Sequence, residues 1–196
     1  MKEFDLDNIL DLQSTFDVFD ENMPHISGLN NWLLGVNGTF FIILINGISE
    51  FKNVFNNFIY QEIVFKSFFC TMFGLLIFLL FQGYIKYLIF RIRIKATPIK
   101  IAIKDHAVNG QRINLKSKEI LNDTLKKNDS AILNEIVIDI ELLLENSKMI
   151  EKDLKFLTLR RDKLISLLNK SIAVSIFLGC MLSLLFGVYL YYSIIQ

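Results

Sequence analysis

The chain has 196 residues, 53% of them hydrophobic and 18 of them Phe, with a formal net charge of +1. Roughly half apolar is already ordinary for a soluble domain, so the clustering of these residues carries the information. The near-neutral total hides a split: residues 1–31 set seven acids against Lys2, while residues 91–128 set ten cations against three acids. Blocks of this kind invite a partner of opposite sign, whether lipid headgroup, nucleic acid or the chain's own N-terminus. The acidic start does not read as a secretory signal, which opens on basic residues.

In chain order, Leu6, Ile9, Leu10, Phe16 and Phe19 stand among acids and predict a short amphipathic helix within 1–22. Pro24 and Gly28 punctuate the chain after it. Residues 32–48 then run without a charge, short for a bilayer crossing, and lengthen to 29–48 without gaining one. A first membrane span is expected there, with a buried or re-entrant helix as the alternative. In 51–63, Phe51, Val54, Phe55, Phe58, Ile59 and Ile63 share one helical face. That pattern fits a helix lying in the membrane interface or a connector packed on the other helices.

Residues 67–85 form the strongest span. Nineteen uncharged residues at 1.5 Å rise reach about 28 Å, close to the hydrocarbon thickness. Lys86 and Arg91 follow where long cations reach headgroups, with Tyr84 and Tyr87 as an aromatic belt. A third span, 171–195, is also uncharged. Tyr189, Tyr191 and Tyr192 mark its far end and Lys170 its near end.

Between these spans, Arg91, Arg93, Lys95, Lys100 and Lys104 alternate in part with isoleucines. Period two reads as extended chain, and Pro98 argues against a helix running through. Such a basic arm suits anionic headgroups, at roughly 1 kcal/mol per cation, or serves as a plain stop-transfer flank. Further on, positions 133, 136, 140, 143, 147, 150, 154, 157, 161, 164 and 168 alternate spacings of three and four. All are apolar but Ser147 and Arg161, which predicts a coiled-coil-like helix running into the third span. Its seam closes either on a second copy or on another helix of this chain, such as a short helix at 115–127. Ser171, Ser175, Gly179, Ser183 and Gly187 recur every four residues, a small-residue stripe that lets helices approach closely in lipid. Gly35 and Gly38 add to it. These are the expected helix-packing and oligomerisation residues, within one protomer or between copies.

The expectation is an all-α integral membrane protein. It has an acidic N-terminal segment (1–31), a membrane region (32–90), a basic arm and long helix (91–170) and a C-terminal span (171–196). The excess of Lys and Arg flanking 91–170 places that segment and the N-terminus in the cytoplasm.

No catalytic constellation is visible. His25 and His106 sit in no metal-binding spacing, no phosphate-binding glycine loop occurs, and neither a metal nor a cofactor is expected. A ribonuclease-type Arg-to-His spacing fails, because Ile99, Lys100 and Ile101 occupy the positions where Arg is needed. Cys70 and Cys180 lie in apolar runs and read as small buried hydrophobes. Polar residues within the spans are the functional candidates by default. Asn37 and Gln82 are either a polar pore lining or interhelical packing groups; Asn46 is a third. The absence of Asp and Glu from the three spans argues against proton coupling by this chain alone.

Residues 25–39, with Trp32, Leu33 and Leu34 opening the first span and Gly35 and Gly38 inside it, resemble small bacterial membrane proteins. Size and Ile/Lys/Asn/Phe usage make the chain similar to the membrane accessory proteins encoded beside RNA-targeting type VI-B CRISPR effectors and in other anti-phage loci. One class of these carries a HEPN-type Arg-to-His motif, which is missing here. The resemblance implies a non-enzymatic accessory of the bacterial inner membrane. It would be a homo-oligomer, with anionic lipid and a soluble effector or ribonucleoprotein as partners. Its output would be a pore that depolarises the membrane, with a poreless scaffold or a subunit of a transport machine as alternatives.

Overall fold

The computed structural model describes residues 6–55, 61–124 and 130–195. Every described residue is α-helical. Helix α1 spans Leu6–Phe55, α2 spans Gln61–Thr124 and α3 spans Ser130–Ile195. All three are long and apolar enough to cross a membrane.

Two prolines sit inside helices, Pro24 in α1 and Pro98 in α2. The sequence predicts a helix end near Pro24 and argues against a helix running through Pro98. Both expectations are wrong. An internal proline loses one backbone hydrogen bond and crowds the preceding turn, at a cost of ~3 kcal/mol. That cost is local and is met by packing on either side: Met23 and Ile26 are buried around Pro24, and Ala96 and Ile103 around Pro98. Both prolines are exposed.

The extended arm at 91–104 is likewise replaced by helix. A lone extended segment leaves its backbone N–H and C=O groups without protein partners, whereas a helix satisfies them internally. The alternating isoleucines then divide between sides: Ile92 and Ile103 are buried, Ile94 and Ile101 exposed. No separate interfacial helix exists over the described part of 51–63. Residues 51–55 end α1 and 61–63 begin α2, while 56–60 lie outside the described residues. Of the short helix expected at 115–127, residues 115–124 are the end of α2, and 125–127 lie outside the described residues.

The chain divides into two compact units, with breaks at Met23/Pro24, Ile89/Phe90 and Asp162/Lys163. In the first, α2 and α3 run antiparallel, with Pro98, Ile99 and Ala102 level with Ile150, Asp153 and Leu157. Phe16, Phe19 and Met23 are buried there from α1. Burial of each is worth about 1.5–3 kcal/mol in water. This unit holds most of the charge and is called the charged unit below.

In the second, Phe51 of α1 packs on Phe68 of α2 and Tyr189 of α3, with ring centroids at 4.9 and 4.8 Å. Leu44, Leu75, Phe78 and Leu178 complete that cluster. Asn30 meets Gln82 and Asn37 meets Ser175, so α2 is antiparallel to α1 while α3 is parallel to it. This is the apolar unit. It has no Asp, Glu, Lys or Arg in 24–49, 67–85 or 171–195.

Buried positions alternate spacings of three and four on all three helices, as in Asn30, Leu33 and Asn37, or Gln82, Ile85, Ile89 and Ile92. The sequence reading found this seam on α3 alone. There Leu143, Ile150, Leu154, Leu157, Leu164 and Leu168 are buried by the chain's own helices. Ser147 and Arg161 are partly buried, and the side chains of Leu133 and Ile136 lie outside the described residues.

Candidate functional site

Six polar residues of the apolar unit are buried. Asn30, Asn37 and Gln82 are each 0% exposed, and Thr71, Ser171 and Ser175 are buried beside them in the seams. Asn37 follows Asn30 by seven residues, two turns further along the same face. Its Nδ2 donates to the Leu33 carbonyl at 2.8 Å and to Ser175 Oγ at 2.8 Å. Ser175 Oγ donates back to Asn37 Oδ1 at 3.3 Å. Every amide atom of Asn37 is therefore engaged, and α1 is tied to α3.

Asn30 and Gln82 differ. Asn30 Nδ2 donates to the Gln82 backbone carbonyl at 3.4 Å. Asn30 Oδ1, Gln82 Nε2 and Gln82 Oε1 are buried with no hydrogen-bond partner. Such atoms cost roughly 1–3 kcal/mol each where no water reaches them. Asn46, the third span amide, is exposed and lines a cleft of about 570 Å³ between α1 and α3 with Phe40, Leu44, Phe51, Phe186 and Glu50.

The small-residue stripe of α3 is not one face. Four residues turn an α-helix by about 40° beyond a full rotation, so a four-residue repeat walks around it. Ser171 and Ser175 lie in the buried seam, whereas Ser183 and Gly187 are exposed. A methyl group added at Gly35, Gly38, Gly179 or Gly187 meets nothing within 4 Å, so this chain does not itself use their small size. Cys70 and Cys180 are exposed on the apolar unit, not buried as the sequence reading has them.

No protein-family model, curated protein or solved structure matches this chain.

In the charged unit the basic segment meets the chain's own acids. Lys100 Nζ reaches Asp20 Oδ2 at 2.5 Å and stands 5.8 Å from the Phe16 ring centroid. Its pKa is raised by the hydrogen bond and charge of Asp20. On the other flank of α2, Lys95 and Arg160 lie over the Phe156 ring at 5.8 and 4.3 Å. Arg93 and Lys104 stay exposed, as does Arg91. Helical geometry separates the cations that an extended arm would have lined up.

His106 is buried in the seam of α2, and desolvation lowers its pKa. Among the described residues, no group of three or more His, Cys, Asp or Glu side chains is placed to hold a metal ion.

The seams of α1 and α2 were the missed signal. In the sequence, asparagine, glutamine and histidine at the three-and-four spacing interrupt an apolar pattern that already fills both faces of these segments. A seam is hard to see when the outward side is as apolar as the inward side.

Proposed function

We propose that this chain is an integral membrane protein with three spanning helices, acting as a membrane anchor that presents the charged unit to a partner. The observation that carries this reading is the apolar exterior of the apolar unit. Trp32, Ile42, Phe73, Leu80, Phe177 and Leu184 face outward, while Asn30, Asn37 and Gln82 are buried among apolar side chains. Water penalises so apolar an exterior, whereas lipid favours it. Candidate windows on α2 and α3 have a mean hydropathy of 2.3.

The scaffold reading is favoured over a pore formed by this chain. Asn37, a candidate lining residue, is bonded to Ser175 in a closed seam, and Gln82 is 0% exposed. In this reading the positive flanks keep 91–170 and the N-terminus on the cytoplasmic side of a bacterial inner membrane. The resemblance to accessory proteins of anti-phage loci makes the partner a soluble effector or ribonucleoprotein.

Membrane fractionation tests the anchor: the full chain stays with the bilayer after alkaline carbonate washing and needs detergent for release. Recovery in the aqueous wash overturns it. Vesicles loaded with a potassium-sensitive dye test the scaffold: they stay tight when the purified chain is inserted, and a steady conductance restores the pore.

A further inference from the structure

The charged unit carries two outward apolar stripes that repeat every seven residues. On α2 these are Ile94, Ile101, Val108 and Leu115; on α3 they are Leu142, Met149 and Phe156, all exposed. The buried residues of α2 in this unit, Ile92, Ala96, Ile103 and His106, lie on the opposite side of the helix. Seven residues turn an α-helix by nearly two full rotations, so each stripe stays on one face. In a water-facing unit, a second apolar line at seam spacing is the pattern of a docking face.

Charge indicates what fits it. From 106 to 118, α2 has Arg112, Lys116 and Lys118 and no acid; from 134 to 146, α3 has Glu135, Asp139, Glu141 and Glu145 and no base. None of these seven forms a salt bridge with a described residue. The two helices are antiparallel, and their level is fixed where Ala102 stands beside Ile150 and Asp153. Counting outward from there, the basic and acidic stretches lie at the same height of the unit. Two copies that share one orientation in a membrane therefore present a basic stripe and an acidic stripe at matching heights.

We propose that a second copy of this chain docks on the charged unit, the outward face of α2 against the outward face of α3 of its neighbour. Ile101 and Val108 interdigitate with the neighbour's Met149 and Leu142, and in the same register Arg112 and Lys116 face the neighbour's Asp139 and Glu135. The like alternatives are disfavoured. Two α2 faces set side by side bring Arg112, Lys116 and Lys118 against their own copies, and two α3 faces do the same with acids. The unlike contact is heterologous, so each copy keeps one face of each kind and the assembly closes as a ring or grows. The proposal rests on the membrane reading for the shared orientation of the copies and for the water around the charged unit.

The test uses the full chain in nanodiscs or mild detergent, with Cys70→Ser and Cys180→Ser as background. Val108→Cys and Leu142→Cys variants are oxidised separately and mixed. A cross-linked dimer forms in the mixture and not in either variant alone. A dimer from Val108→Cys alone, or none in the mixture, overturns the proposal.

Charge reversal is the second arm, read by mass photometry. Arg112→Glu with Lys116→Glu, and Asp139→Lys with Glu135→Lys, each weaken self-association by about tenfold or more. Mixing the two restores it, which also shows that both fold. Unchanged stoichiometry in the variants, a wild-type chain that stays monomeric, or lipid as the only species captured by a photo-crosslinker at position 108 counts against the second copy. None of these outcomes alters the carbonate-wash result, so the two readings fail separately.

Discussion

Asn37 on α1 and Ser175 on α3 exchange hydrogen bonds in the closed seam of the apolar unit, Nδ2 to Oγ at 2.8 Å and Oγ to Oδ1 at 3.3 Å. They are 138 residues apart in sequence. In a lipid-embedded core, where apolar burial does not drive helices together, such a pair holds one helix at a fixed height on another.

Replacing Asn37 by Leu leaves the Ser175 hydroxyl without its interhelical partner. The expected loss is about 0.6–2 kcal/mol of stability in detergent, read as an earlier midpoint in a denaturing-detergent titration. Ser175→Ala produces a similar loss, and the double variant loses less than the sum. Additive losses would show that the two side chains act independently.

Gln82 should respond in the opposite direction. Its two carboxamide atoms are buried without partners, and Gln82→Leu removes both while keeping most of the volume. The Asn30 bond survives, because its acceptor is the Gln82 backbone carbonyl. The variant is expected to be more stable by about 1 kcal/mol or more. A clear loss of stability in the same titration refutes this.

The buried His106 is expected to make the charged unit acid-sensitive. Its folded pKa lies below the ordinary value of 6.5, so on acidification the unfolded chain takes up a proton first. Stability is therefore full above about pH 6.5 and falls as pH drops toward the lowered folded pKa. Melting temperature is expected to decrease between pH 7.5 and pH 5.5, and His106→Leu should flatten that part of the profile. An equal pH slope in the variant assigns the sensitivity to other groups.

The Lys100–Asp20 pair predicts a charge-swap result. Lys100→Glu places a carboxylate beside Asp20 and Asp17, and Asp20→Lys places an ammonium beside Lys100. Each single variant melts earlier than the parent, and the double swap recovers most of the difference. Added salt shrinks all three effects, because both partners are half-exposed. A double variant no better than the singles removes the pair as the cause.

Pro98 is exposed within α2 and supplies no N–H to the helix. Pro98→Ala restores a backbone bond and raises helix propensity, for a gain of up to about 3 kcal/mol. The melting temperature is expected to rise, and a fall would show that the ring is needed where it lines the cleft beside Ile99 and Ala102.

What was legible in the sequence followed from local rules. The uncharged stretches at 67–85 and 171–195, the all-helical class and the seam of α3 each depend on composition or period along one segment. The chain's own N-terminus was among the partners named for the basic block, and Asp20 now takes up Lys100.

The tertiary structure decided what competes between segments. Pro24 and Pro98 were read as breaks because their penalty is visible locally. The packing of Met23 and Ile26, or of Ala96 and Ile103, is visible only once other helices lie against them. Likewise, Asn37 and Gln82 have the same polarity in the sequence. One is fully bonded and the other is not, because the partner of Asn37 arrives from a helix 138 residues away. Period and charge act along a chain, whereas hydrogen bonds and burial are settled by what stands opposite.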